Sequence, residues 1–196
     1  MNETFLETIR AVDGEIFNIS YHQERYERVL KSFGFSDFKN LDDFLQPPSS
    51  GIYRCRLTYD EKSVDVTYHE YKKREVKSLK LVYSETIEYS KKSISRQNID
   101  ELFDMKDGCD DILIIKNSLV CDTSIANVAF YSDGRWFTPS QPLLMGTTRQ
   151  RLLDEGKIIE VDIKVQDLKE YSKVALLNAM IDFDIIREYD LKDIIC

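Results

Sequence analysis

The sequence predicts an α+β protein in two lobes, a small α+β lobe over residues 1–72 and a larger mixed lobe over 76–196. Three features lead there. The chain opens with a hairpin pattern and one amphipathic helix; a charged run, YKKREVK, then interrupts the pattern; beyond it, apolar strand segments alternate with short helices.

In FLETIRAVDGEIFNI two alternating runs flank Asp13-Gly14, a dipeptide suited to the positive φ angles of a tight hairpin turn. SYHQERYERVLKSFGF predicts a helix. Ser20 and Gln23 have capping-box spacing, Tyr26, Val29, Leu30 and Phe33 form an apolar stripe, and Gly34 is a natural stop. Pro47-Pro48 and Ser49-Ser50-Gly51 mark a loop. GIYRCRLT and SVDVTYHEY follow as strands joined at Tyr59-Asp60-Glu61-Lys62. Alternation sets Tyr53, Cys55 and Leu57 on one face and Ile52, Arg54 and Arg56 on the other.

Past the charged run, SLKLVYS predicts a strand, and Ile99, Leu102 and Phe103 a helix. DDILIIKN is an apolar strand, and SLVCDTSIANVAFY with GRWFTPS is a further β region. GTTRQRLLDEGK predicts a short helix capped by Thr147 or Thr148, with Leu152 and Leu153 inward and Gly156 at its end. KVALLNAM is the last buried strand expected.

A chain of 196 residues can bury a core without disulfide or metal staples. Its net charge of −8 argues against a general nucleic-acid binder, and the one basic cluster, Lys72-Lys73-Arg74 with Lys77 and Lys80, reads as a solvated connector. Four cysteines without a C-x-x-C pair and only two histidines spell no zinc site. No apolar run approaches the roughly 20 residues that span a bilayer, and MNETFLETIR lacks a signal-peptide pattern. A cytoplasmic protein with no membrane partner is the expectation.

Two short stretches suggest chemistry. Gly146-Thr147-Thr148 at a helix start would offer N–H groups and hydroxyls to a phosphate, although threonine near a cap is also ordinary. Lys91-Lys92 sits where an extended segment hands over to a helix, and such doublets are commonly solvated.

Four motifs in order then give a resemblance. FLETIRAVDGEIFNISYHQERYERVLKSFG resembles the first hairpin and H-x-x-R helix of the class IV aminotransferases, the fold-type IV pyridoxal-phosphate enzymes. KSISR is similar to their lysine segment, DTSIANVAF to their E-x-x-x-x-N-[LI]-F strand, and MGTTRQRLL to their G-I-T-R helix start. The resemblance implies a two-lobed, D-amino-acid aminotransferase-like fold with a shortened N-terminal lobe, pyridoxal 5'-phosphate as cofactor and a homodimer acting on a small molecule. It implies Lys92 as the catalytic lysine, a group that must be partly neutral near pH 7. In an extended segment Lys92 would share a face with Ile94 while Lys91 alternates outward.

By the same resemblance Arg25 would bind the cofactor phosphate with Thr147 and Thr148, and Asn178-Ala179 would form a second phosphate-side loop. Asp122 stands where the family usually has glutamate to hold the pyridine nitrogen, a side chain shorter by about 1.5 Å. Two reactions are open. The lyase, eliminating pyruvate from 4-amino-4-deoxychorismate to leave 4-aminobenzoate, is favoured over a branched-chain or D-amino-acid transaminase. The Asn178-Ala179-Met180 run and the compact first lobe resemble the lyase, and Arg10, Arg54 and Arg56 could meet its substrate's carboxylates. A non-catalytic descendant of the fold is a third reading, motivated by Asp122 and the shortened lobe.

Overall fold

The computed structural model describes residues 3–187; Cys196 and the end of the expected second lobe lie outside them. Strand β1 (Phe5–Val12) turns at Asp13 and Gly14, with φ of 49° and 87°, into the short strand β2 (Glu15–Ile16). Both residues accept the left-handed backbone that this turn demands. Helix α1 (Ile19–Lys31) follows, then β3 (Ile52–Tyr59) and β4 (Val64–Glu70), in an antiparallel sheet of order β2-β1-β3-β4. α1 packs Tyr26, Val29 and Leu30 against Phe5, Ile9, Cys55 and Leu57 on one sheet face. The opposite face carries Arg10 directly across from Arg54, and Thr8 across from Arg56.

The ends of α1 divide the expectations. Ser20 is not the cap: a left-handed Asn18 starts the helix at Ile19, so Ser20 already has helical backbone. Gln23 instead accepts the Leu41 N–H (2.9 Å) and donates to the Lys39 carbonyl (3.0 Å), tying the helix to a 3-10 turn at Leu41–Phe44. Gly34 closes the helix as expected. Its N–H bonds the Lys31 carbonyl and the Phe35 N–H bonds that of Leu30, the pairing that a left-handed glycine after a helix permits. Phe33 lies past the last helical residue and is 39% exposed, so it leaves the stripe.

The chain divides into two compact units. One comprises the chain up to Lys73 together with Lys91–Ser95; the other comprises Arg74–Ser90 and the chain from Arg96 on. Lys91–Ser95, expected in the second lobe, groups with the first because it hydrogen-bonds to the edge of β1. The Leu6 N–H bonds the Lys92 carbonyl (2.8 Å), the Ile94 N–H bonds the Thr4 carbonyl (3.1 Å), and Ser93 lies opposite Phe5.

In the second unit β5 (Leu79–Tyr83) lies parallel to β6 (Asp111–Lys116), with α2 (Gln97–Phe103) between them in sequence. β6 continues antiparallel through β7 (Leu119–Thr123), β8 (Asn127–Ser132) and β9 (Arg135–Pro139). Helix α3 (Thr147–Asp154) ends at a left-handed Gly156, as expected, and leads to β10 (Ile159–Val161), parallel to β9. β11 (Lys173–Asn178) pairs with β8, but it is not the last strand: β12 (Asp182–Arg187) folds back on it. β6 and β11 are apolar along nearly their whole length because both sides are covered. Leu113, Ile115, Val174 and Leu176 pack in one core cluster, while Ile112 and Ile114, and separately Ala175 and Leu177, pack in others. Among the described residues no helix is long and apolar enough to cross a membrane.

Candidate functional site

The first cluster lies in the first unit and centres on a residue that motif reading passed over. Alternation along β1 turns Phe5, Glu7, Ile9 and Ala11 toward α1, so the Glu7 carboxylate is completely buried. Arg25, one helical turn after His22, grips it from two sides. Its Nε donates to Glu7 Oε1 (2.8 Å) and its Nη2 to Oε2 (2.5 Å). His22 Nδ1 lies 2.6 Å from the same Oε2. Burial acts to raise the Glu7 pKa, but the Arg25 charge and the contacts with His22 and Arg25 prevail and hold it at about 2. His22 shifts the other way. Burial lowers its pKa against the raising effect of Glu7, and the Arg25 and Lys92 charges add to the lowering. A neutral His22 donates Nδ1–H to Glu7 and keeps Nε2 as an acceptor.

Lys92 therefore lies within electrostatic reach of His22, and its carbonyl is held by Leu6, the neighbour of Glu7. The alternation argument for it fails in detail. Ser93 N–H bonds the Lys91 carbonyl (2.8 Å), a tight bend that breaks the extended period; Ser93 is buried and Ile94 is 45% exposed. Lys91 does not simply point into water either, because its ammonium sits 4.1 Å from the Phe33 ring centroid. Arg10 and Arg56 are half-buried and Arg54 exposed, and none of the three makes an ion pair among the described residues. Arg10 lies over the Phe17 ring at 5.6 Å.

The second cluster lies in the second unit and is built on the turn between β7 and β8. Thr123 makes that turn: its Oγ1 accepts the N–H of Ile125 (3.3 Å) and of Ala126 (3.0 Å). The turn brings Asp122 opposite Asn127. Asn127 Nδ2 donates to Asp122 Oδ1 (2.7 Å) and to the Leu144 carbonyl (2.8 Å), while the Leu144 N–H donates to Asp122 Oδ2 (3.0 Å). Burial raises the Asp122 pKa to about 6, against lowering by Asn127, Leu144 and the Arg149 charge. Glu7 and Asp122 are both buried, but Glu7 is answered by a bidentate cation and Asp122 at contact range by neutral donors.

Asn127 also reaches α3. A Cβ on Gly146 would lie 1.9 Å from Asn127 Oδ1, so only glycine fits the position before the helix. Gly146 is the N-cap and no side chain caps the helix, contrary to the expected role for Thr147 or Thr148. Both threonines are buried within the first turn, where the first helical bond runs from Gln150 N–H to Gly146 C=O (2.9 Å). The N–H groups of Thr147, Thr148 and Arg149 precede that bond and so have no acceptor within the helix. Arg149, 1% exposed, donates to the Pro139 carbonyl (2.8 Å) and pairs with Glu160 (2.5 Å).

Asn178 serves the loop's own shape. Its Oδ1 accepts the Met180 N–H (2.9 Å) and Ile181 N–H (3.1 Å), and its Nδ2 donates to the Ile125 carbonyl (3.2 Å), fastening the Ala179 turn to the β7–β8 turn. A separate cavity of about 290 Å³ is lined by Tyr89, Lys116, Cys121, Gln141 and Leu143. Among the described residues no group of three or more His, Cys, Asp or Glu is placed to hold a metal.

Two measurements follow. Asp122 is a carboxylate whose folded pKa lies above its ordinary value of 3.8, so its contribution to stability is lost as pH rises from about 4 through about 6. Asp122→Asn removes the titrating group but sets an NH2 against one of its two donors, so it is expected to abolish the fall in stability between pH 4 and pH 7.5, read from urea unfolding. Gly146→Ala is expected to displace Asn127 and cost about 2 kcal/mol or more in the same assay. An unchanged midpoint would mean that Asn127 is not pressed against this backbone.

The family model for amino-transferase class IV matches residues 4–189. A Haemophilus influenzae protein named only as uncharacterized is 39% identical over 180 residues, covering 89% of this chain and 96% of that protein. The solved structure of a candidate 4-amino-4-deoxychorismate lyase from Haemophilus somnus is 34% identical, with a TM-score of 0.86 over 92% of this chain and 97% of its own. A hypothetical aminotransferase from Mycobacterium tuberculosis, solved in a PLP-bound form, shares the fold at a TM-score of 0.81 and 16% identity, covering 96% of this chain and 83% of its own. The chain belongs to amino-transferase class IV, and it is an enzyme of that class.

Proposed function

We propose that this enzyme is a pyridoxal-phosphate-dependent lyase that eliminates pyruvate from 4-amino-4-deoxychorismate, leaving 4-aminobenzoate. The observation that carries the substrate class is the arginine face of the small sheet. Arg10 and Arg54 are direct cross-strand partners, Arg56 lies two residues along β3, and none has an acidic partner among the described residues. Like charges set opposite each other on a sheet repel, and an anion relieves the repulsion. In a chain of net charge −8, carboxylates are plentiful, yet among the described residues none answers these arginines. A substrate with two carboxylates suits such a face.

The residues present fit the cofactor. Asp122 is a buried carboxylate that can accept a hydrogen bond from the pyridine nitrogen, and Gly146-Thr147-Thr148 open α3 with N–H groups and hydroxyls suited to phosphate. The missing Cβ of Gly146 keeps that helix start against Asn127. Arg25 would add its charge to the phosphate, and Ala179 lies in the turn that Asn178 holds. Pyridoxal phosphate, when bound, supplies an electron sink for charge left on a substrate carbon. Lys92 takes the proton from the substrate carbon that bears the amine. A proton is returned to the departing enolpyruvyl group, which leaves as pyruvate while the ring becomes aromatic.

The enzyme is expected to release pyruvate from 4-amino-4-deoxychorismate with no keto acid added, and Lys92→Ala to release none. Arg54→Met is expected to raise KM about tenfold with a smaller effect on kcat, as for loss of a charge-assisted contact worth about 1.5–3 kcal/mol. Turnover that requires an added keto acid would instead make the enzyme a transaminase.

A further inference from the structure

Glu7 occupies an inward position of β1, between Phe5 and Ile9, where an apolar side chain would serve the core. A buried ion pair in such a place is weak as a source of stability, since hydrophobic residues of similar volume commonly do as well. What the carboxylate does supply is orientation. Two parallel N–H···O contacts, at 2.8 and 2.5 Å, fix the plane of the Arg25 guanidinium, which a single contact would leave free to rotate. The remaining N–H groups of that planar fork then point in directions that Glu7 dictates. The same carboxylate meets His22 Nδ1 at 2.6 Å, and the backbone beside it, at Leu6, holds the Lys92 carbonyl. One residue therefore stands at the junction of the arginine, the histidine and the lysine segment.

We propose that Glu7 is a positioning residue for the cofactor's phosphate: it aims Arg25 and holds His22 and the Lys92 segment in register with it. This rests on the reading of Arg25 as a phosphate ligand. The role is distinct from general structural support, because it concerns a single chemical group. Loss of Glu7 weakens recognition of the phosphate more than recognition of the pyridine ring.

The test measures equilibrium dissociation constants for pyridoxal phosphate and for pyridoxal, which lacks the phosphate, in the full chain and in Arg25→Met, Glu7→Gln and Glu7→Asp. Arg25→Met is expected to reduce the preference for the phosphorylated form at least tenfold. Glu7→Gln is expected to reduce it by a similar factor, and Glu7→Asp to restore part of it. A purely structural role would weaken both ligands in parallel and leave their ratio unchanged; that outcome in Glu7→Gln, with the ratio lost in Arg25→Met, overturns the proposal alone. An unchanged ratio in Arg25→Met overturns the phosphate reading of Arg25, and the proposal with it. Should Glu7→Gln fail to fold, the ratio in Glu7→Asp decides: a preference equal to the parent's would contradict a role that depends on bidentate geometry. A second readout uses the cofactor-free protein. His22 and His69 are the only histidines, so nitrogen NMR resolves His22, whose proton is expected on Nδ1 at pH 7 and to redistribute in Glu7→Gln.

Discussion

The contact between Glu7 and Arg25 is the constraint around which the first unit is arranged. A carboxylate with no exposed surface is tolerable only when its charge is met, and removal of one partner from such a pair typically costs about 3–5 kcal/mol. Meeting that charge commits Arg25 to one orientation, sets His22 Nδ1 as the donor to the carboxylate and requires α1 to lie over β1 in one register. The edge of the same strand carries the lysine segment. Sheet, helix and lysine are thus coupled through one buried side chain.

The second unit resolves a buried carboxylate differently. Both oxygens of Asp122 are engaged, by the Asn127 amide and the Leu144 N–H, and among the described residues no cation pairs with it. Its pKa rises to about 6 where that of Glu7 falls to about 2. An aspartate at this position is held close to its own strand and loop, and its charge is poised to respond to what binds beside it. Asn127 makes the link to the helix start, since the amide that donates to Asp122 also leaves no room for a side chain at residue 146.

What could be read from the sequence was local. The Asp13-Gly14 turn, the Tyr26, Val29 and Leu30 part of the α1 stripe and the glycine stops at Gly34 and Gly156 depend on neighbours a few residues away, and each formed as expected. Family motifs named Arg25, Asp122, Thr147 and Thr148, and these lie in the two polar clusters. Glu7 was missed because its partners are 15 and 18 residues distant; the available signal was an acidic residue at an inward position of an alternating strand. Asn127 was quoted within a motif without a role, since its contacts depend on the Thr123 turn and on a loop 17 residues further on. The face of Lys92 was misjudged because a bend at Lys91–Ser93 breaks the alternation that the reading assumed. Strand β12 depends on the Asn178 turn, whose hydrogen bonds periodicity does not report.

Borohydride reduction of the protein mixed with pyridoxal phosphate, followed by peptide mapping, tests the central claim most directly. A visible absorption band that bleaches on reduction, with the adduct on Lys92 alone, is the predicted result. An adduct spread over Lys91 and exposed lysines, or no band at all, would contradict it.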